Sequence, residues 1–261
     1  MSDIEKILFA MVDAGRKASP AIMDIYRKGF DVTLKEDFSP VTDADLASDG
    51  IIRRTLPLGE DIAYLSEEEA DDKSRLGKKA LFIVDPLDGT QDFVEKDGSF
   101  SVNIAYVEDH TPIVGAIFLP VEDAYCYAVR GRGAFFVKDG VEERIHVSDR
   151  RKDLVYLASR THENEKEKAV YERHADLIGK VERLGASMKG VYLACGKGDA
   201  SIRYTGMTKE WDTCAMDLIV REAGGVFKDT ELKPFVYNRE DVYNRKGYCM
   251  FNRIENAILL D

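Results

Sequence analysis

The segment "FIVDPLDGTQDF" places two aspartates three residues apart at the end of an apolar run. The apolar residues predict a buried strand that ends at Asp85, and the proline and glycine that follow predict a turn that brings Asp88 to the same side. The turn frees the Leu87 carbonyl, and two carboxylates with one carbonyl suit a hard cation such as Mg²⁺. Gly89 and Thr90 begin a predicted short helix whose free amides suit a phosphate. A cation site beside a phosphate site is typical of metal-assisted phosphoryl transfer.

Three further acidic features lie elsewhere in the chain, namely Asp43 with Asp45 in "SPVTDAD", Glu67–Glu69 in "LSEEE", and Asp212 after a tryptophan. Each alone has a structural explanation, since aspartates cap helices and a run of glutamates is usually a solvated loop. "DPLDG" alone is equally compatible with a tight turn. However, Glu67–Glu69 and Asp212 lie at a predicted strand exit and helix start, where carboxylates can converge without crossing the core. A turn needs none of these separate acids, so the set favours a metal site.

Composition excludes several classes of protein. The 261 residues carry a net charge of -11, which disfavours a nucleic-acid binder because such a protein shows a basic stripe. No stretch approaches the roughly 20 apolar residues that span a membrane, and the acidic N-terminus does not resemble a signal peptide. The four cysteines are far apart and form no C-x-x-C motif, so we expect reduced thiols in a cytoplasmic protein.

The elements that must position these acids are mixed α and β. Apolar spacing from Ile4 to Ile25 predicts a long amphipathic helix, and the run 100–141 predicts an antiparallel sheet. "DVTLKEDFSPVTDAD" predicts a hairpin or an extended loop. The remaining predictions are a second helix with Leu46, Ile51, Ile52 and Leu56 inward, strands "IAYLS", "ALFIVD" and "LVYLAS", and helices in "EKEKAVYERHADLIG", "GASMKGVYLACGKGD" and "WDTCAMDLIVREAGG".

We interpret residues 1–261 as a single catalytic domain of two lobes, with the seam near 148–153, where charged residues interrupt the apolar pattern. The N-terminal lobe, 1–148, would carry the large antiparallel sheet and most of the metal ligands. The C-terminal lobe, 149–261, would carry the substrate side and Asp212. The fold class is therefore α/β in the broad sense, or mixed α+β.

Three segments in this order, "SEEE" (66–69), "DPLDGT" (85–90) and "WDTCAMDLIVREAGG" (211–225), resemble the inositol monophosphatase superfamily of Mg²⁺-dependent, lithium-sensitive phosphatases. The resemblance implies a layered α-β-α-β-α sandwich of the sugar-phosphatase type. It implies two or three Mg²⁺ ions held by Glu67, Asp85, the Leu87 carbonyl, Asp88 and Asp212. It further implies that Asp45 assists another metal and the attacking water, and that Thr90 with Glu67 positions this water. Ser66 departs from the pattern, because glycine is usual there.

Within the superfamily the chain resembles the 3′(2′),5′-bisphosphate nucleotidase branch through "DGTQDFVEKDGSFSVNIAYV" and "GASMK". Residues 202–205 lack the acid with which the inositol branch grips ring hydroxyls. Gln91 and Asp92 replace the usual Lys-Glu, and Arg203 stands one residue before the usual arginine position. The implied substrate contacts are Gly89, Thr90, Gly185, Ser187 and Lys189. Lys189 would meet a second phosphate, or it is merely a solvated helix residue.

The resemblance implies hydrolysis of the 3′ phosphate of adenosine 3′,5′-bisphosphate, and of its sulfated form, by a metal-activated water. An inositol or sugar phosphate is the alternative substrate, and a non-catalytic phospholigand or metal sensor is the alternative class. Haloacid-dehalogenase-type phosphatases carry Asp-x-Asp-Gly-Thr, whereas this chain has Asp-x-x-Asp-Gly-Thr, so that interpretation is disfavoured. The expected partner is a small phosphorylated metabolite, with no nucleic acid and no membrane. The chain would be a monomer or a homodimer.

Overall fold

The computed structural model describes residues 2–34 and 40–260. The first element is helix α1 (Asp3–Lys28), as predicted. It begins with a reciprocal cap, because the Ser2 hydroxyl accepts from the Glu5 amide and the Glu5 carboxylate accepts from the Ser2 amide. Its buried stripe, which includes Met11 and Ile22, packs against the second helix and the large sheet.

A short antiparallel hairpin, β1 (Val32–Leu34) and β2 (Pro40–Thr42), leads into helix α2 (Asp43–Thr55). Part of the predicted hairpin segment, 35–39, lies outside the described residues. The prediction that Leu46 points inward is wrong, since this side chain is 56% exposed. The cap formed by Thr42 and Asp45 explains this, because it turns Asp45 inward and leaves the next residue facing solvent.

The large sheet has seven strands in the order β3-β4-β5-β6-β7-β8-β9. Strands β3 and β4 are parallel, and every later pair is antiparallel, which confirms the antiparallel sheet predicted for 100–141. The strands are β3 (Ile62–Ser66), β4 (Ala80–Asp88), β5 (Ser101–Glu108), β6 (Thr111–Leu119), β7 (Ala124–Val129), β8 (Gly133–Lys138) and β9 (Val141–Ile145).

A second sheet of five strands has the order β11-β10-β12-β14-β13. The strands are β10 (Leu154–Ser159), β11 (Ile178–Leu184), β12 (Ala200–Arg203), β13 (Val226–Lys228) and β14 (Tyr248–Phe251). The helices are α3 (Thr90–Val94), α4 (Glu165–Arg173), α5 (Met188–Ala194) and α6 (Glu210–Glu222). Helices α4 and α5 are shorter than predicted. The glycines and positive-φ residues around α5 end it early.

Alternation along β4 shows how the layers form. Phe82 and Val84 face α1 and α2, whereas Leu81 and Ile83 face α5 and α6. The far side of α5 and α6 contacts the second sheet, and α4 covers the outer face of that sheet through Val170. The predicted α-β-α-β-α sandwich is therefore confirmed.

The stretch between the two sheets is anchored to the second one. Asp199, fully buried, accepts hydrogen bonds from the Ser148 hydroxyl, from Arg150 Nε at 2.7 Å and from the Val155 amide at 2.7 Å. Asn252 donates to the carbonyls of Ser148 and Arg150. The division into lobes at 148–153 stays a prediction.

Candidate active site

A β-bulge in β4 sets the geometry of the DPLD segment. Asp85 pairs with Asn103 and Asp88 pairs with Ser101, so two residues on β4 face a single residue on β5. The extra residue cancels the alternation of the strand, and the two aspartates therefore point to one face. The strand continues to Asp88 rather than ending at Asp85 as predicted, because pairing with β5 resumes beyond the bulge. The predicted shared orientation of the two carboxylates follows directly from this register.

Three carboxylates converge at this face. Glu67 follows β3, Asp85 lies on β4, and Asp212 lies in the first turn of α6. Each contributes an oxygen, and these oxygens all lie within 4.8 Å of one another. The structure therefore brings together three predicted metal ligands that are up to 145 residues apart in the chain, from 67 to 212.

The electrostatics of this cluster fit a bound cation. Burial raises the pKa of Asp85 well above its usual range, and the neighbouring charges of Glu67 and Asp88 add to the effect. Burial, followed by the repulsion of Asp88 and Glu67, raises the pKa of Asp212 to about 8. Carboxylates that repel one another in a buried site need positive charge between them, and oxygen-only donors select a hard cation.

Asp88 receives its partners from β5 of the large sheet and from the residue that precedes α5. Its Oδ2 accepts from Ser187 Oγ at 2.6 Å, from Asn103 Nδ2 at 3.1 Å and from Ser101 Oγ at 3.3 Å. Asn103 Nδ2 also lies 2.9 Å from Ser187 Oγ. Because Ser187 immediately precedes α5, this contact brings the "GASMK" segment to the carboxylate cluster.

Helix α2 supports the bulge from the other side. The Thr90 hydroxyl lies 3.1 Å from Asp45 Oδ1 and 3.2 Å from the Leu87 carbonyl oxygen. The Ser48 hydroxyl donates to the Pro86 carbonyl at 2.7 Å. Predicted residues Asp45, Leu87 and Thr90 are therefore in direct contact.

The loop that carries Glu67 is held by two tethers. Trp211 Nε1 donates to Glu67 Oε2 at 3.0 Å, which links this loop to the start of α6. The hydroxyls of Ser66 and Tyr64 both donate to Asp49 Oδ1, at 2.6 and 2.8 Å, which links it to α2. The departure at position 66 thus adds a hydrogen bond that a glycine cannot make.

Gly89 and Gly185 allow the turn after β4 and the loop before α5 to approach closely. Gly89 has φ +89°, and a Cβ there would lie 3.0 Å from the Ser99 carbonyl oxygen and 3.1 Å from Ala186 Cβ. A Cβ on Gly185 would lie 2.6 Å from Asp92 Oδ2 and 2.7 Å from the same carbonyl oxygen. The predicted phosphate-facing residues of these two segments are therefore adjacent.

Lys189 is buried, which excludes the alternative that it is a solvated helix residue. Its Nζ donates to the carbonyls of Ala186 at 2.7 Å and Leu184 at 3.4 Å. Burial, together with the nearby Arg203, lowers the pKa of Lys189 to about 8. Its ammonium therefore supports the loop before α5 from beneath, while its charge acts on Asp88 and Asp92.

Two residues near Lys189, His162 and Arg203, were not among the predicted site residues, although Arg203 was noted as standing one residue before the usual arginine position. Arg203 is buried and donates to Glu167 Oε2 at 2.7 Å and to the His162 carbonyl at 2.9 Å. Partial burial and the cations Arg203 and Lys189 lower the pKa of His162. His162 belongs to no histidine motif, so the sequence contains no signal for it. Arg203 pairs with Glu167 and so joins β12 to α4, and no sequence pattern links these two distant residues.

The comparisons with known proteins agree with this geometry. The model of the inositol monophosphatase family matches residues 3–255. The chain is 34% identical over 239 residues to the 3′(2′),5′-bisphosphate nucleotidase CysQ of Escherichia coli (strain K12), covering 89% of this chain and 94% of that one. It is 30% identical to the CysQ of Aggregatibacter actinomycetemcomitans over 94% of this chain and 92% of the relative.

Among solved structures, CysQ from Bacteroides thetaiotaomicron superposes with a TM-score of 0.79 at 33% identity, covering 94% of this chain and 96% of that one. The suhB protein of Bartonella henselae gives a TM-score of 0.80 at 28% identity over 97% and 96% of the two chains. The chain belongs to the inositol monophosphatase family, as the resemblance implied. No helix in the described ranges is both long and apolar enough to cross a membrane.

Proposed function

We propose that the chain is a Mg²⁺-dependent phosphomonoesterase that hydrolyses the 3′ phosphate of adenosine 3′,5′-bisphosphate and of its sulfated form. The CysQ relatives, named as 3′(2′),5′-bisphosphate nucleotidases, match it along nearly its whole length. The observation that carries the proposal is the hydrogen bond from Ser187 to Asp88, because it joins the nucleotidase-like "GASMK" segment to the acidic cluster. One pocket would thus face both a cation and a substrate with two phosphates.

The residues that would hold two or three Mg²⁺ ions are Glu67, Asp85, the Leu87 carbonyl, Asp88 and Asp212. Burial, followed by repulsion between the carboxylates, raises the pKa values of Asp85 and Asp212, and a bound cation would remove this repulsion, which supports the assignment. When bound, Mg²⁺ supplies the positive charge that polarises the phosphoryl group and makes water more acidic.

The protein's own groups orient the reactants. Glu67 and Thr90 would position the attacking water, and each is itself held in place, Glu67 by Trp211 and Thr90 by Asp45. The amides of Gly89 and Thr90 would bind phosphate oxygens. Positioning of this kind lowers a hydrolysis barrier by several kcal/mol.

The second phosphate would face the positive side of the pocket. Lys189, Arg203 and His162 act on one another and on Asp88 electrostatically. Gly185 and Ser187 would present the loop surface to the substrate, and Lys189 would attract the phosphate mainly through its charge. Because Arg203 is paired with Glu167, its charge is partly neutralised.

A turnover assay tests the proposal. Phosphate release is measured from adenosine 3′,5′-bisphosphate, its sulfated form, an inositol monophosphate and fructose 1,6-bisphosphate, with and without Mg²⁺ and Li⁺. We expect Mg²⁺-dependent release that is fastest with the nucleotide bisphosphates and is inhibited by Li⁺. Faster release from the inositol or sugar phosphate would refute the substrate assignment, and no release from any substrate would favour a sensor. The cytoplasmic location and the monomeric or dimeric state stay predictions.

A further inference from the structure

Asp92 is a buried carboxyl at the contact between the two lobes. It is 2% exposed, although it lies in the short helix α3 beside the phosphate-facing turn. Its Oδ2 would lie 2.6 Å from a Cβ on Gly185 and 3.4 Å from a Cβ on Gly89. The side chain therefore occupies the space that these two glycines leave open.

The surroundings of Asp92 do not favour a negative charge. Within the described part of the chain, its Oδ1 is buried and has no hydrogen-bond partner. The acids that face it are Asp97, from the loop after α3, and Asp88, from β4. Lys189, from α5, is the cation that faces it, but the ammonium of Lys189 donates to the carbonyls of Ala186 and Leu184.

Of the two neighbouring carboxyls, Asp92 and Asp97, Asp97 is the one whose surroundings stabilise a negative charge. It accepts from the Ser99 amide at 2.7 Å and from Arg160 Nη1 at 2.9 Å. Burial alone would raise the pKa of Asp97, but these hydrogen bonds and the Arg160 charge hold it below its usual range. Two adjacent carboxyls in such unequal surroundings share one proton, and the proton resides on the less solvated one.

We propose that Asp92 is a positioning residue that, as a neutral acid hydrogen-bonded to Asp97, holds the Gly89 turn against the Gly185 loop. This inference rests on the proposed function. By fixing the Gly185 loop, Asp92 places Ser187 against Asp88 and keeps the two walls of the phosphate pocket at one spacing.

The state of Asp92 should depend on pH near neutrality. Burial, followed by the charge of Asp97, raises the pKa of Asp92 to about 7. Above that pH, Asp92 becomes a second negative charge beside Asp97 and faces a pocket that must accept phosphate. We therefore expect the KM of the wild type for a nucleotide bisphosphate to rise as pH increases through neutrality.

The test compares the wild type, Asp92→Asn and Asp92→Ala in the full chain at saturating Mg²⁺ between pH 5.5 and 8.5. The amide of Asp92→Asn donates to Asp97 at every pH, so at pH 6 its kcat/KM for adenosine 3′,5′-bisphosphate should stay within about threefold of the wild type. Between pH 6 and pH 8.5, the KM of the wild type should rise by a factor at least about three times larger than the factor for Asp92→Asn. Asp92→Ala should lose about tenfold or more in kcat/KM at pH 6. Asp24→Asn, an exposed change in α1, is the control.

Identical pH profiles for the wild type and Asp92→Asn would overturn the inference, as would unchanged kcat/KM in Asp92→Ala. If Asp92→Ala does not fold, the pH profile of Asp92→Asn alone decides. If the wild type hydrolyses no nucleotide bisphosphate, the proposed function fails, and melting temperatures then test Asp92 separately. In that case, the wild type should lose stability relative to Asp92→Asn between pH 5 and 7, and parallel melting curves would refute the role of Asp92.

Discussion

The substitution Gly185→Ala tests whether the close approach of the Gly185 loop to Asp92 and Ser99 controls activity. A Cβ at this position would lie 2.6 Å from Asp92 Oδ2, 2.7 Å from the Ser99 carbonyl oxygen and 2.8 Å from Ser99 Cβ, whereas ordinary contacts are 3.4–4 Å. A backbone oxygen cannot rotate away, so the loop must move by several tenths of an ångström or more. Overpacking of this kind costs about 1–3 kcal/mol of folding free energy.

The same movement pulls Ser187 away from Asp88, whose contact is 2.6 Å. A displacement of about 1 Å at a phosphate-positioning group lowers kcat/KM by about a hundredfold, and we expect a loss of ten- to a hundredfold. The measurements are urea unfolding midpoints and kcat/KM for adenosine 3′,5′-bisphosphate. Gly59→Ala is the matched control, since a Cβ there meets nothing within 4 Å. If Gly185→Ala kept the stability and kcat/KM of the control, the reasoning about the close approach of the Gly185 loop would be wrong.

Four further substitutions test the acidic cluster, the Glu67 loop, the hydrogen bonds of Asp199 and the protonation of Asp92. Asp85→Asn should lower Mg²⁺-dependent phosphate release at least about a hundredfold. Its circular dichroism spectrum should be unchanged, and its melting temperature without metal should be higher because one buried charge is removed. Retained turnover would contradict the metal assignment. Ser66→Gly removes the 2.6 Å hydrogen bond to Asp49 and should lower kcat by about three- to tenfold, because the Glu67 loop becomes less well held. Crystallographic disorder of that loop in the variant would support this reasoning, and an unchanged kcat would contradict it. Asp199→Ala leaves buried donors unpaired and should cost about 3–5 kcal/mol in urea unfolding, whereas a cost under about 1 kcal/mol would show that the network is dispensable. The pKa of Asp92 is about 7 in the folded chain, against an ordinary value of 3.8. The wild type should therefore lose stability relative to Asp92→Asn as pH rises from 4 to 7, by at most about 1.4 kcal/mol per pH unit. Above pH 7 it should lose no more.

The sequence predicted the elements whose signals are local. The apolar spacing of α1 marks one buried face, and the short apolar runs of β5 and β10 mark strands that are buried on almost every residue, so in each case the pattern reports burial. The DPLD segment was predictable for a related reason, because a proline and a glycine restrict the backbone to few conformations. The shared orientation of Asp85 and Asp88 follows from the bulge at that position.

Features that depend on distant contacts were not predictable. Leu46 looked inward by its type, but the cap at Thr42 fixed the rotation of α2 so that this leucine faces solvent. For Lys189 the sequence left open a phosphate contact or a solvated residue, and its burial beside the close approach of Gly185 to Asp92 excludes the second. In both cases a tertiary constraint outweighs the preference of the residue.

The acidic cluster also determines how folding and cation binding depend on each other. Asp85 and Asp212 are buried beside Glu67 and Asp88, and in the absence of a cation this arrangement opposes folding. The rigid strand β4 and helix α6 hold these carboxylates together because both are embedded in the shared apolar layer, with Ile83 on one and Leu218 on the other buried there. A cation that binds the folded chain but not the unfolded chain relieves the repulsion and stabilises the fold by mass action. The apolar core therefore supplies the free energy that keeps these mutually repelling carboxylates close together when no cation is bound.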